Sequence, residues 1–169
     1  MRRLLSVLAL TGCVLTGLPT MVLAQGQGFV LFSGVKRENQ LPFRLDFGGQ
    51  TSSIDRYILR IPAQNMKLAA AQFAVTYPNY YKGSFDTKKI EVRVRGKKVP
   101  LSEVKWNKES GLIEIFPEEP VPAGSRVELV FSNVRNPSSG GTYYFNCQIL
   151  SPGDLPLLRY IGSWILTIS

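Results

Sequence analysis

A chain of 169 residues with 44% hydrophobic content is sized for one domain with a real core. It contains no histidine, which excludes the Ser-His-Asp and Cys-His nucleophile pairs and the ordinary imidazole base, and two cysteines are too few for a disulfide scaffold. A formal charge of +8 directs attention to anionic partners.

Met1-Arg2-Arg3 is a short basic start, residues 4–18 are largely apolar, and Val22-Leu23-Ala24 precede Gln25. This order predicts a signal peptide over residues 1–24, cut after Ala24. A retained membrane span needs about 20 unbroken apolar residues, whereas Gly12, Thr16, Gly17, Pro19 and Thr20 interrupt this run. Leu10-Thr11-Gly12-Cys13 also has the pattern at which bacterial lipoproteins are cut and acylated, and a lipid anchor on Cys13 is the minor alternative. The apolar stretch ahead of Cys13 is short for that route, and the run continues beyond it. Cleavage at Ala24 lowers the formal charge to +6 and leaves Cys147 as the single thiol. Its place among apolar residues predicts a buried, inert side chain. For an exported chain the expected anions are acidic polysaccharide, lipid head groups or an acidic envelope protein, and not nucleic acid.

Residues 25–40 read as a flexible start with a short strand at Phe29-Val30-Leu31-Phe32, and residues 41–169 as the folded domain. Phe43, Leu45 and Phe47 alternate with Arg44 and Asp46 before Gly48-Gly49, a half-buried strand. Tyr57, Leu59 and Ile61 form the next apolar face, stopped by Pro62. Residues 66–75 combine helix-forming residues with a period-two face through Ala69, Ala71, Phe73 and Val75, and strand is preferred over helix there. After a tyrosine loop, a helical turn is expected before Lys89, then the cleanest alternation in the chain. Ile90, Val92 and Val94 point inward, and Glu91, Arg93 and Arg95 outward. Gly96-Lys97-Lys98 reverses the chain, and a hairpin through Trp106 and Leu112 follows. Residues 117–124, with Pro117, Pro120 and Pro122, form a rigid connection.

The run at residues 127–150 is the centre of the expected fold. Val127, Leu129 and Phe131 share one face of a strand, Asn136-Pro137-Ser138-Ser139-Gly140-Gly141 reverse the chain, and Tyr143, Phe145, Cys147 and Ile149 share one face of the next. The other strands are expected to add to this pair, and the chain ends with two segments, Leu157 to Ile161 and then Trp164 to Ile168 with Trp164, Leu166 and Ile168 on one face. Strands every 8 to 12 residues or so with Gly/Pro turns predict an all-β, immunoglobulin-like two-sheet sandwich of about 7–9 strands.

No catalytic group, metal site or cofactor is read from this pattern. Glu118 and Glu119 are adjacent on an extended connection and point apart, unlike an acid/base pair. The aspartates sit near turns, where side-chain caps account for them. Two surfaces remain as binding candidates. Lys89, Arg93 and Arg95 share an outward strand face crowned by Lys97 and Lys98, an anion-binding face or a solvated, edge-protecting one. Tyr80 and Tyr81 lie in a loop where aromatic rings can stack on sugars, although alternation sends one of such a pair inward.

The stretches Leu41-Pro42-Phe43-Arg44-Leu45-Asp46-Phe47-Gly48-Gly49, Tyr77-Pro78-Asn79-Tyr80-Tyr81 and Gly141-Thr142-Tyr143-Tyr144-Phe145-Asn146-Cys147 resemble a family of small exported cyanobacterial proteins known as a domain of unknown function. More loosely, the chain is similar to bacterial immunoglobulin-like domains. The resemblance implies an extracytoplasmic protein of unknown activity and supplies no catalytic residues. The expected role is a non-enzymatic binding or structural module of the periplasm or cell envelope, with strand addition at a sheet edge as the alternative and a hydrolase with a lysine or carboxylate base as the third reading.

Overall fold

The computed structural model describes residues 34–153 and 157–169. The signal peptide expected at residues 1–24, Cys13 and the strand expected at residues 29–32 lie outside them. The described chain forms β1 (Phe43–Leu45), β2 (Ile54–Ile61), β3 (Gln72–Thr76), β4 (Ile90–Val94), β5 (Lys97–Val99), β6 (Leu101–Asn107), β7 (Leu112–Pro117), β8 (Val127–Arg135), β9 (Gly141–Leu150) and β10 (Arg159–Ile168). Single 3-10 turns occupy Arg37–Asn39, Ala63–Asn65 and Thr87–Lys89.

These strands make two five-stranded antiparallel sheets, ordered β1-β2-β8-β4-β5 and β10-β9-β3-β7-β6. The result is an immunoglobulin-like sandwich with ten described strands against the 7–9 expected. The inward faces follow the period-two pattern. Tyr57, Leu59, Val92, Leu129 and Phe131 come from one sheet, and Phe73, Ile113, Phe145, Cys147 and Trp164 from the other, all fully buried. Apolar alternation decides which side of each strand is core because a one-residue slip would expose every one of these side chains.

The strand-turn-strand run at residues 127–150 differs from expectation in an instructive way. β8 pairs with β2 and β4, and β9 pairs with β10 and β3. The two strands do not add to one another. Their connection crosses from one sheet to the other, so their apolar faces meet across the sandwich. A turn longer than a two-residue hairpin permits either outcome, and alternation on both strands is the same in each.

Three other expectations change. Residues 66–75 contain no helix, but β3 begins only at Gln72, and Ala70 instead exchanges both backbone hydrogen bonds with Val121 of the Pro-rich connection. Phe47 is 59% exposed, because its backbone N–H turns toward Asp55 Oδ1 at 2.9 Å and ends the alternation. The carboxy-terminal segments form one strand, β10, with a register shift between Tyr160 and Gly162. At Gly162 a Cβ would lie 2.6 Å from Leu41 Cγ and 2.8 Å from the Asn39 carbonyl oxygen. A bare backbone there lets the segment before β1 lie against this edge, where the Leu41 N–H donates to the Ser163 carbonyl at 2.8 Å.

The registers define two ends of the sandwich. Ile61, Val94 and Val127 lie side by side at one end, where the Gly124 N–H ahead of β8 donates to the Met66 carbonyl on the β2–β3 connection. This is the Arg95 end. Thr76 beside Leu112 and Ile54 beside Arg135 lie at the other, the Tyr80 end.

Candidate functional site

The fold separates the basic residues that the strand pattern groups together. Lys89 closes the 3-10 turn before β4 and belongs to the Tyr80 end. Arg93 and Lys98 face each other across β4 and β5, and both are held by Glu91, with Arg93 Nη2 3.0 Å from Oε2 and Lys98 Nζ 3.0 Å from Oε1. Hydrogen bonds from Lys98 and then Arg93 draw the Glu91 carboxyl below its ordinary range. The next residue across the face, Glu128, accepts from Arg60 Nε at 3.1 Å. The outer face of this sheet is therefore a lattice of alternating charge rather than a continuous cationic surface.

Arg95 and Lys97 differ. The reversal expected at Gly96-Lys97-Lys98 sits instead at Arg95-Gly96, with Lys97 opening β5, and there Arg95 (φ 51°) and Gly96 (φ 83°) both have positive φ, the geometry of a tight type I′ hairpin turn. Asn or Gly normally takes the first of these positions, since a Cβ there is strained. The Arg95 N–H donates to the Arg126 carbonyl at 2.9 Å, which places a third exposed cation beside them. Arg95, Gly96 and Arg126 line one open cleft of about 470 Å³ with Ala63, Gly124 and Glu128, whose carboxylate is held by Arg60. Arg95, Lys97 and Arg126 form no ion pair among the described residues. Strand alternation could not reveal Arg126, because only the β4–β8 pairing brings residue 126 to the turn.

The tyrosine pair also divides. Tyr80 is 53% exposed and Tyr81 only 3%, so Tyr81 presents no ring face to a sugar. The Tyr80 ring lies 5.6 Å from that of Tyr143. Tyr80 and the Arg95 cluster occupy opposite ends of the sandwich and do not combine into one site.

Tyr81 instead enters an aromatic cluster with Tyr57, Tyr77, Phe85, Tyr143 and Phe145. Its ring packs edge-on to Phe145 at 5.1 Å and Tyr143 at 5.1 Å, and stacks on Phe85 at 5.6 Å. The buried hydroxyls are satisfied in series, as their desolvation requires. Tyr57 donates its single proton to Asn136 Oδ1, so Tyr81 donates to Tyr57 across 3.0 Å. Asn136 Nδ2 donates to the Gln50 carbonyl at 2.7 Å, and Tyr143 donates to the Ser139 carbonyl at 2.7 Å. These bonds anchor the β8–β9 crossing. Trp106 Nε1 donates to the Tyr77 hydroxyl at 2.7 Å at the cluster's rim.

Burial is the largest factor raising the Tyr57 and Tyr81 phenols well above their usual range. An acid whose folded pKa is raised contributes stability fully below its unfolded pKa and loses it as pH climbs above that value. Stability is therefore expected to fall above about pH 10, the ordinary phenol range. Phenolate absorbance should show these two tyrosines ionising together with loss of near-ultraviolet circular dichroism. Their ionisation in a still-folded chain would contradict the network. Burial likewise raises the Cys147 thiol far above its ordinary range and removes it from nucleophilic chemistry.

With this geometry in place, the comparisons concern fold and lineage. Residues 29–168 match a family described as "Protein of unknown function (DUF2808)". No curated protein matches the sequence. Among solved structures, BslA, a bacterial hydrophobin, is similar at 15% identity with a TM-score of 0.50, covering 77% of this chain and 97% of that one. An immunoglobulin-like protein from Nocardia farcinica has 14% identity and a TM-score of 0.43 over 77% of this chain and 98% of its own. The collagen-binding domain of a Staphylococcus aureus adhesin has 8% identity and a TM-score of 0.42 over 76% and 95%. At these identities the likeness concerns architecture alone.

Proposed function

The chain belongs to the DUF2808 family of proteins of unknown function, and on that footing we propose that it is an exported, non-enzymatic binding module of the cell envelope. Its contact surface is the cation cluster of Arg95, Lys97 and Arg126, which engages an anionic surface. The observation that carries this reading is the contrast between these three side chains, which lack acidic partners among the described residues, and Arg93 and Lys98, which Glu91 occupies. Exposed cations without partners are available to steer and hold an anion, and a strained backbone position filled by Arg95 is costly to keep unless its side chain is used. Absence of histidine from the whole sequence supports binding over acid/base catalysis.

The test is retention at low salt on an acidic polysaccharide matrix. The triple variant Arg95→Glu, Lys97→Glu, Arg126→Glu should elute at least about tenfold earlier in salt-dependent affinity, at roughly 1 kcal/mol per cation removed. Reversal of Arg93 and Lys98 should change retention far less. Unchanged retention of the triple variant would sink the reading.

Strand addition at the carboxy-terminal edge is less well supported. Along β10, Asn65 Nδ2 donates to the Ile161 carbonyl at 3.1 Å, and the Leu41 and Thr51 N–H groups donate to the Ser163 and Ser169 carbonyls. Much of that edge is occupied by the chain itself, which is how sheets are protected against pairing.

A further inference from the structure

The Arg95 end carries a second feature that the cation cluster does not explain. Leu157 is 64% exposed, Tyr160 45%, Leu158 40% and Leu68 38%. Three of these lie within four residues of chain. The fourth, Leu68, lines with Tyr160 and Ile161 an open cleft of about 680 Å³ whose charged residues are Glu38, Lys67 and Arg159. Folding normally leaves large apolar side chains scattered over a surface, and a cluster rimmed by polar groups marks an interaction site. The 3-10 turn Ala63–Asn65 stands between the two clefts, since Ala63 lines the one beside Arg95 and Arg126 while Gln64 and Asn65 line the one beside Leu68 and Tyr160. The apolar tip and the cations therefore face outward from the same end of the molecule.

The other exposed apolar residues lack this arrangement. Phe47, Ile54 and Tyr80 sit on three separate loops or strand starts of the opposite end, and Tyr144 lies on the outer face of β9 beside Ile165 of β10.

Resting on the reading of the Arg95 end as an anion-binding surface, we infer that its occupant is an anionic lipid bilayer, met end-on. Leu157 and Leu158 enter the acyl boundary, Tyr160 lies at the head-group level where an apolar ring with a polar edge is favoured, and Arg95, Lys97, Arg126 and Lys67 meet lipid phosphates. A polysaccharide satisfies the cations but offers nothing to two adjacent exposed leucines. A bilayer satisfies both, and the pairing of one apolar and one basic signal is what stable peripheral attachment requires. Glu118 and Glu119 on the neighbouring connection are exposed, and Glu38 and Glu128 line the two clefts, so the end is mixed in charge. Binding should therefore depend on the apolar insertion as well as on the anionic lipid.

The experiment is co-sedimentation of the chain, purified as released by an exporting host, with vesicles of neutral phosphatidylcholine alone or with added anionic phosphatidylglycerol. The parent chain should bind the anionic vesicles and keep part of that binding at a salt concentration that removes it from the polysaccharide matrix. The double variant Leu157→Ser, Leu158→Ser alters two solvent-exposed side chains without changing the charge and leaves the core intact. It should bind vesicles at least about tenfold more weakly while keeping its retention on the matrix. Equal vesicle binding by this variant and the parent overturns the lipid inference. A parent chain held by the matrix but not by anionic vesicles overturns the inference and leaves the cation cluster as a polysaccharide site. A parent held by neither overturns both.

Discussion

Replacing Phe145 by alanine should cost the fold about 3–5 kcal/mol, the range for removing a buried aromatic ring. Phe145 is fully buried and touches four aromatic neighbours. Its ring stacks on Tyr77 at 5.6 Å and meets Tyr81 at 5.1 Å, Phe85 at 6.2 Å and Tyr57 at 6.4 Å. Two of these neighbours hold the hydroxyl series to Asn136, so the cavity also loosens the bonds that anchor the β8–β9 crossing. Relaxation into the space is restricted because each ring is fixed by another partner. Denaturant unfolding should show the loss as a lower midpoint, with the slope retained if the variant stays two-state. A loss below about 1 kcal/mol would mean that the cluster collapses freely and is not the structural centre of that end.

Asp55→Ala should have an effect of similar size, about 2–4 kcal/mol, for a different reason. The Asp55 side chain is 1% exposed and accepts three backbone N–H groups, from Phe47 at 2.9 Å and Arg56 at 2.6 Å on Oδ1 and from Gly49 at 2.8 Å on Oδ2. Alanine leaves all three donors without an acceptor, at roughly 1–3 kcal/mol each before water entering the turn restores part. Asp55→Asn should fall between the two. An amide keeps Oδ1 as acceptor for Phe47 and Arg56, but its NH₂ then faces the Gly49 N–H, donor against donor. Glycine at 49 is itself required, since its φ is +68° and a Cβ would lie 2.8 Å from the Thr167 carbonyl oxygen. The turn is therefore specified by a carboxylate and a bare backbone together. Equal stability of the alanine variant and the parent, measured by urea unfolding, would refute this account.

The same distinction between local and distant causes explains how far each element was legible. Ile90, Val92 and Val94 could be assigned to the core, and Glu91 and Arg93 to solvent, because a strand has only two faces. The β6–β7 hairpin was equally legible, since its partners are neighbours in the chain and Asn107 caps the turn by accepting from the Glu109 and Ser110 N–H groups at 3.1 Å. The binding surface was only half legible. Alternation grouped Lys89, Arg93, Arg95, Lys97 and Lys98 by sequence proximity, but charge compensation depends on which strands are adjacent. Glu128 faces Arg93 across the β4–β8 pair, and Arg126 reaches the Arg95 turn through that same pair. Tyr80 and Tyr81 show the same limit on a smaller scale. A period-two argument says that one of two neighbours turns inward, and the position of Phe145 on another strand decides which.

By itself, then, the sequence determined the class of fold, the inward face of most strands, most turn positions and the exclusion of histidine chemistry. Each of these depends on residues within a few positions of one another, so period, turn chemistry and composition suffice. Only the tertiary structure decided that β8 and β9 belong to different sheets, that Glu91 neutralises the middle of the basic face, and that Leu68 and Leu157 share an end with Arg95 and Arg126. Those facts come from contacts between residues far apart in the chain. An apolar strand face is satisfied equally by a partner beside it or across from it, and the lowest free energy among those arrangements is a property of the whole packed core.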